Sequence, residues 1–176
     1  MRDSKGFTLI ELLVVVAIIG IIAAMAVPGL LRARMSGDEA SAIGSERAIN
    51  SAQSTYASSC AAGNYAQTLN DLALVPAGST AAFLSPDLSS NGIAKSGYVV
   101  NVGPGAITTP AVPGAATCNG SGSSALPTYY SEAHPKTVGL TGQRSFGSDQ
   151  RGSIFMDPTG TTFTQITVAS STTPIQ

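Results

Sequence analysis

Glu11 is the side chain in this sequence most in need of a chemical reason. It stands immediately before an uncharged run from Leu12 to Leu31. A carboxylate at the centre of a membrane-spanning helix costs roughly 2.5–3.5 kcal/mol on insertion scales, so a functional role is expected of it. The other candidates carry less. The single histidine, His134, precedes Pro135, and no acid or cysteine stands at a recognisable catalytic spacing from it. No nucleophile elbow, phosphate loop or metal-ligand quartet occurs. Asp149 and Asp157 flank a hairpin and could share a calcium ion, but Ca²⁺ takes six to eight oxygens and two acids supply few of them. No enzyme, no resident metal and no cofactor are therefore expected. Cys60 and Cys118 fit one disulfide if that part of the chain lies outside the cytoplasm, the alternative being two buried thiols. Closing so long a loop is worth about 4 kcal/mol in the chain-entropy model.

The elements that position these residues follow from the patterning. As a helix, Leu12–Leu31 would span about 30 Å, the thickness of a bilayer core. Gly20, Pro28 and Gly29 interrupt it, and Pro28, which lacks an amide donor, is expected to kink it. Beyond Leu31, Met35, Ala42, Ile49 and Tyr56 recur every seven residues with Ala52 on the same stripe, while Asp38, Glu39, Glu46 and Arg47 are expected off it. One helix from about Phe7 to Ala57 is predicted, apolar all round and then amphipathic, its stripe making core contacts rather than a coiled-coil seam.

The rest reads as a β-rich head. Thr68–Val75 predicts a short helix with Leu69, Leu72 and Leu74 inward, and Phe83 and Leu84 are expected to dock on the core. Lys95–Val102 predicts a first strand, and Tyr129–Ala133, Arg144–Ser148 and Ser153–Asp157 predict three more, with a turn at Asp149-Gln150-Arg151-Gly152. Thr161–Val168 alternates Phe163, Ile166 and Val168 as a further strand. Ala106–Ser124 reads as a long loop holding Cys118. Asn119-Gly120-Ser121 matches a glycosylation sequon, a pattern too short to carry weight. The class is α+β, with a long N-terminal helix packed on a small antiparallel sheet. A net charge of −1 and an 11% charged fraction supply no basic patch, so no nucleic acid partner is expected.

Ala24-Met25-Ala26 would serve an ordinary signal peptide, but Glu11 and the length of the apolar run sit poorly with one. A plain anchor leaves Glu11 unexplained. Gly6-Phe7-Thr8-Leu9-Ile10-Glu11 resembles the class III signal of type IV prepilins and type II secretion pseudopilins, with Gly20 and Pro28 also matching. The resemblance implies that a prepilin peptidase cuts between Gly6 and Phe7 and methylates the new Phe7 amine. It implies that Glu11 pairs with that amine on a neighbouring subunit, relieving a carboxylate stranded in hydrocarbon.

The implied organisation is a leader at 1–6, a membrane and polymerisation helix at 7–31, its amphipathic continuation at 32–57 and a periplasmic or extracellular head at 58–176. From Ser58 onward the resemblance to the pilin αβ-roll is one of outline. Lys5 and Arg2 are nearly balanced by Arg32 and Arg34, so only the leader's family role sets the N-terminus in the cytoplasm of an inner-membrane, single-pass subunit. Implied partners are further copies in a filament, the peptidase, an assembly platform and, before assembly, membrane lipid. Three functions stay open: a type IV pilus subunit, favoured by a Ser/Thr-rich head; a pseudopilin of a secretion piston; and a membrane-tethered adhesion or binding domain that never polymerises.

Overall fold

The computed structural model describes residues 6–165, 168 and 174–175. Residues 1–5 of the leader and Ile166 and Thr167 of the expected last strand lie outside these. The chain forms two compact units, residues 1–34 and 35–176.

In the first unit the described chain beyond Thr8 is helix. Helix α1, Leu9–Ser59, begins there and contains Pro28. Its side chains from Phe7 to Leu30 are exposed in the isolated chain, and it is the one described helix long and apolar enough to cross a membrane.

In the second unit, α1 from Met35 onward packs on an antiparallel sheet. Ala42, Ile49, Ala52 and Tyr56 are buried and Met35 is half-buried, so the seven-residue stripe is core contact. Glu39 and Glu46 lie on that buried face too, against expectation. A helix stripe over 100° wide takes in the positions three and four away from each apolar residue, and polar partners on the sheet make their burial tolerable.

The sheet is a meander in the order β1-β2-β3-β4-β5: Ile93–Lys95, Tyr98–Pro104, Tyr129–Pro135, Ser145–Asp149 and Ile154–Asp157. Its register sets Val102, Ser131, Ser148 and Ile154 in one row, with Val100, Ala133, Phe146 and Met156 in the next on the same face. These rows face α1. The opposite face carries Asn101, Glu132, Gly147 and Phe155.

Two expected strands differ. Lys95–Val102 is a hairpin rather than a single strand: Ser96 (φ 47°) and Gly97 (φ 73°) turn between β1 and β2. Two consecutive positive φ values make the tight turn whose twist matches its strands. Thr161–Val168 forms no strand among the described residues. The Val168 amide donates to the Thr164 carbonyl at 3.0 Å, a helical spacing. Phe163 and Val168 instead cover the outer face beside Phe155 and Tyr130. Gly147 makes that possible, because a Cβ there would lie 2.9 Å from both Phe163 Cγ and Val168 Cγ2.

Helix α2, Leu69–Ala73, is capped by the Thr68 hydroxyl, which accepts the Asp71 amide at 3.2 Å. Leu69 and Leu72 point inward, but Leu74 is exposed because the helix ends before it. Leu84 is buried and Phe83 stacks edge-on against Tyr56.

Candidate assembly site at the helix start

Thr8 and Glu11 close a reciprocal cap. The Thr8 amide donates to Glu11 Oε2 at 3.0 Å and the Thr8 hydroxyl donates to the same oxygen at 2.5 Å. The Glu11 amide donates back to Thr8 Oγ1 at 3.3 Å. The Thr8 carbonyl accepts the Leu12 amide, so Thr8 is the N-cap and Glu11 the N3 residue of a capping box. The Thr-x-x-Glu spacing of Thr8-Leu9-Ile10-Glu11 announces this box, and the role of Thr8 went unread in the sequence beside the apolar run.

The box satisfies two amides that the start of any helix leaves without partners. It also turns the Glu11 carboxylate toward the chain end that includes Phe7. Phe7, Ile10, Glu11, Val14 and Val15 line a shallow surface groove of about 420 Å³. Phe7 is 83% exposed. An acid, a large aromatic side chain and an apolar groove thus share one end of α1.

The other expected residues fall as follows. Gly6 lies beyond the helix start with nothing within 4 Å of a built Cβ, and the same holds for Gly20. Pro28 is inside α1. Cys60 and Cys118 are bonded, joining the chain just after α1 to the long loop. The Asn119 amide donates to the Asp71 and Leu74 carbonyls at 2.7 and 3.4 Å, so the sequon's side chain is engaged within the fold.

Asp149 and Asp157 cannot share a cation. They stand at opposite ends of the β4–β5 hairpin, where Asp157 pairs in register with Ser145. Four residue steps along the strand separate these ends, about 13 Å. Each carboxylate is also committed locally: Asp149 to Arg151 at 2.9 Å, and Asp157 to Thr159 and Thr161. Among the described residues no group of three His, Cys, Asp or Glu is placed to hold a metal ion. His134 does have an acidic neighbour after all, Glu132 Oε2 at 2.8 Å. The i, i+2 spacing sets both on one face of β3. Burial pushes Glu132 up, against hydrogen bonds from Asn101 and His134 that pull it down.

Residues 1–27 match the family model described as the prokaryotic N-terminal methylation motif. The chain is 59% identical over 39 residues to the type IV wide pilus major component PilA4 of Thermus thermophilus, covering 22% of this chain and 30% of that protein. It is 36% identical over 73 residues to the type IV major pilin protein PilA of Myxococcus xanthus, covering 42% and 32%. A third relative, the fimbrial protein EcpC of Eikenella corrodens, is 36% identical over 103 residues, covering 52% of this chain and 67% of that protein. The matched stretch thus spans about a third of the first two relatives' length and two thirds of the third. No solved structure matches the chain significantly.

Proposed function

The chain belongs to the type IV prepilin family, and from that premise we propose that it is a structural subunit of a type IV pilus, stored in the membrane and polymerised through the first half of α1. The observation that carries the proposal is the Thr8–Glu11 box beside the exposed Phe7.

The mechanism starts from the carboxylate. Both Thr8 bonds fall on Glu11 Oε2, and Oε1 is the oxygen we assign to a neighbour's amine. Before cleavage between Gly6 and Phe7 the nitrogen of Phe7 is an uncharged amide. Cleavage turns it into an amine, which takes up a proton, and methylation leaves it able to do so. In hydrocarbon an approaching ammonium then relieves the cost of the stranded carboxylate. Proteolysis thereby makes one half of an ion pair whose other half is already oriented. The apolar surface of residues 7–31 supplies the packing, exchanging lipid contacts for sister helices.

In this reading residues 1–6 are a leader removed by a prepilin peptidase at the cytoplasmic side. Residues 7–31 span the inner membrane, 32–57 continue the helix outside it, and 58–176 form the head that the pilus displays. An assembly platform extracts the subunit. The role is structural rather than catalytic.

N-terminal mass spectrometry of the mature protein tests the proposal: an N-methylated Phe7 is expected, and an N-terminus at Val27 would overturn it. Glu11→Ala should leave the subunit inserted with a folded head, but reduce its incorporation into filaments by tenfold or more, since about 1.4 kcal/mol lost per contact is a factor of ten. Normal filaments from that variant would remove Glu11 from assembly.

A further inference from the structure

Glu46 is fully buried where α1 meets the sheet, within the 35–176 unit. Its Oε2 accepts the Ser131 hydroxyl at 2.5 Å, while Oε1 has no hydrogen-bond partner among the described residues. A buried ionised carboxylate with a bare oxygen is costly, whereas the neutral acid is tolerated.

The neighbouring groups point the same way. On α1, Glu39 two turns earlier is held by Arg144, and Asn50 one turn later accepts the Tyr129 hydroxyl at 2.9 Å. Arg47, the next residue, is on the exposed side of the helix. From β3 come Ser131 and Tyr129, with Glu132 on the far side of the strand beside His134. The row flanking Ser131 is Val102 of β2, Ser148 of β4 and Ile154 of β5, none of them acid or base. Asp149, at the end of β4, is committed to Arg151.

We propose that Glu46 is a proton-operated latch: with its proton it seats the second half of α1 on β3, and losing the proton loosens that interface. The inference concerns the 35–176 unit and stands apart from the assembly reading.

Burial pushes Glu46 up to about 8, against the Ser131 bond and aided by the charge of Glu132. The folded value lies above the ordinary 4.5. Stability from the protonated form is therefore complete below about pH 4.5, declines as pH rises, and is gone above about pH 8. Across that window each pH unit lowers the folded-to-unfolded ratio about tenfold through this one group.

The test uses the full chain in detergent micelles. Denaturant unfolding is followed across pH for the native protein and Glu46→Gln, which keeps the amide neutral throughout. The difference between the two proteins should change with pH up to about pH 8 and then level off, and a constant difference would overturn the latch. Infrared spectroscopy gives a second reading that survives if Glu46→Gln fails to fold. A protonated-carboxyl band should be present at neutral pH and titrate away near pH 8. Ser131→Ala, which removes the bond favouring the charged form, should move that midpoint upward. Absence of the band at neutral pH, or an unmoved midpoint, would also overturn it.

Discussion

Along α1, Glu11, Glu39 and Glu46 are the same side chain in three environments, and the environment sets what each does. Glu11 caps its own helix and is exposed. Glu46 has only a hydroxyl for company. Glu39 meets a full set of donors: the Gln143 and Arg144 amides reach Oε1 at 3.0 and 3.3 Å, and the Arg144 guanidinium reaches Oε2 through Nε at 2.9 Å and Nη2 at 2.5 Å. Burial pushes Glu39 up, but the Arg144 and backbone bonds outweigh it and hold the carboxyl below its usual range. A lowered folded value means stability that is present above about pH 4.5 and lost as pH falls through the folded value, the opposite sign to Glu46. Arg144→Ala strands a buried carboxylate. Removing one partner of a buried pair costs 3–5 kcal/mol, and the half-exposed Arg144 softens that to about 2 kcal/mol near neutral pH. Urea unfolding should show that loss and an acid transition shifted to higher pH. Arg144→Lys should restore only part, since an ammonium cannot reproduce the two-pronged contact. Glu11 was legible in the sequence because an acid against an apolar run has few explanations. Glu39 and Glu46 were not, because their donors arrive from residues 143–144 and 131, and no local pattern reveals a partner so far along the chain.

At the level of elements, periodicity found the long helix, the short helix and the last three strands of the meander close to their observed places. It failed where one residue outweighed the pattern. Tyr98 to Val102 alternates well enough to draw Lys95 into the same strand, yet Ser96-Gly97 is a dipeptide that favours turns, and Thr141 Cβ packs 2.8 Å from where a Gly97 Cβ would stand. The stretch after Gly160 failed differently. Its apolar residues serve a face rather than a strand, because Gly147 leaves a hollow opposite them. Arg151 fixes the cover, stacking its guanidinium 4.4 Å from the centre of the Phe155 ring and donating to the Val168 carbonyl at 2.8 Å. Gly147→Val should therefore expel Phe163 and Val168 while sparing the α1 side of the sheet. Overpacking of this kind costs about 1–3 kcal/mol. Limited proteolysis should cut the variant faster within 158–165, with the β2–β3 amides still protected from exchange. Equal protection of both regions would show that the cover does not depend on Gly147.

For the whole molecule, the region between α1 and β3 carries the short helix α2 and the β1–β2 hairpin joined by long loops, and a few cross-links hold those loops. The Cys60–Cys118 bond is the covalent one, 58 residues apart in sequence. Beside it, Gln53 exchanges two hydrogen bonds with the Ala66 backbone at 2.8 and 2.9 Å, and the Tyr56 hydroxyl meets Ser121 at 3.0 Å. Asp71 accepts the Gly122 and Ser123 amides and the Thr68 hydroxyl. All of these lie in the 35–176 unit, whereas Phe7 and Glu11 lie in the other. Energetic changes at separate sites that share no partner add nearly independently. Head stability and assembly should then fail separately. Replacing both cysteines by serine frees the unfolded chain of a loop worth about 4 kcal/mol. The noncovalent contacts remain, so the folded structure persists with a lower denaturant midpoint. Processing at Phe7 should be unchanged by mass spectrometry, and filaments should still form under mild conditions but lose their heads to protease sooner. Glu11→Ala should give the converse: a native denaturant midpoint with few filaments. If the serine variant instead lost N-terminal processing at a temperature where its head is folded, the two units would be coupled and the separation argued here would not hold.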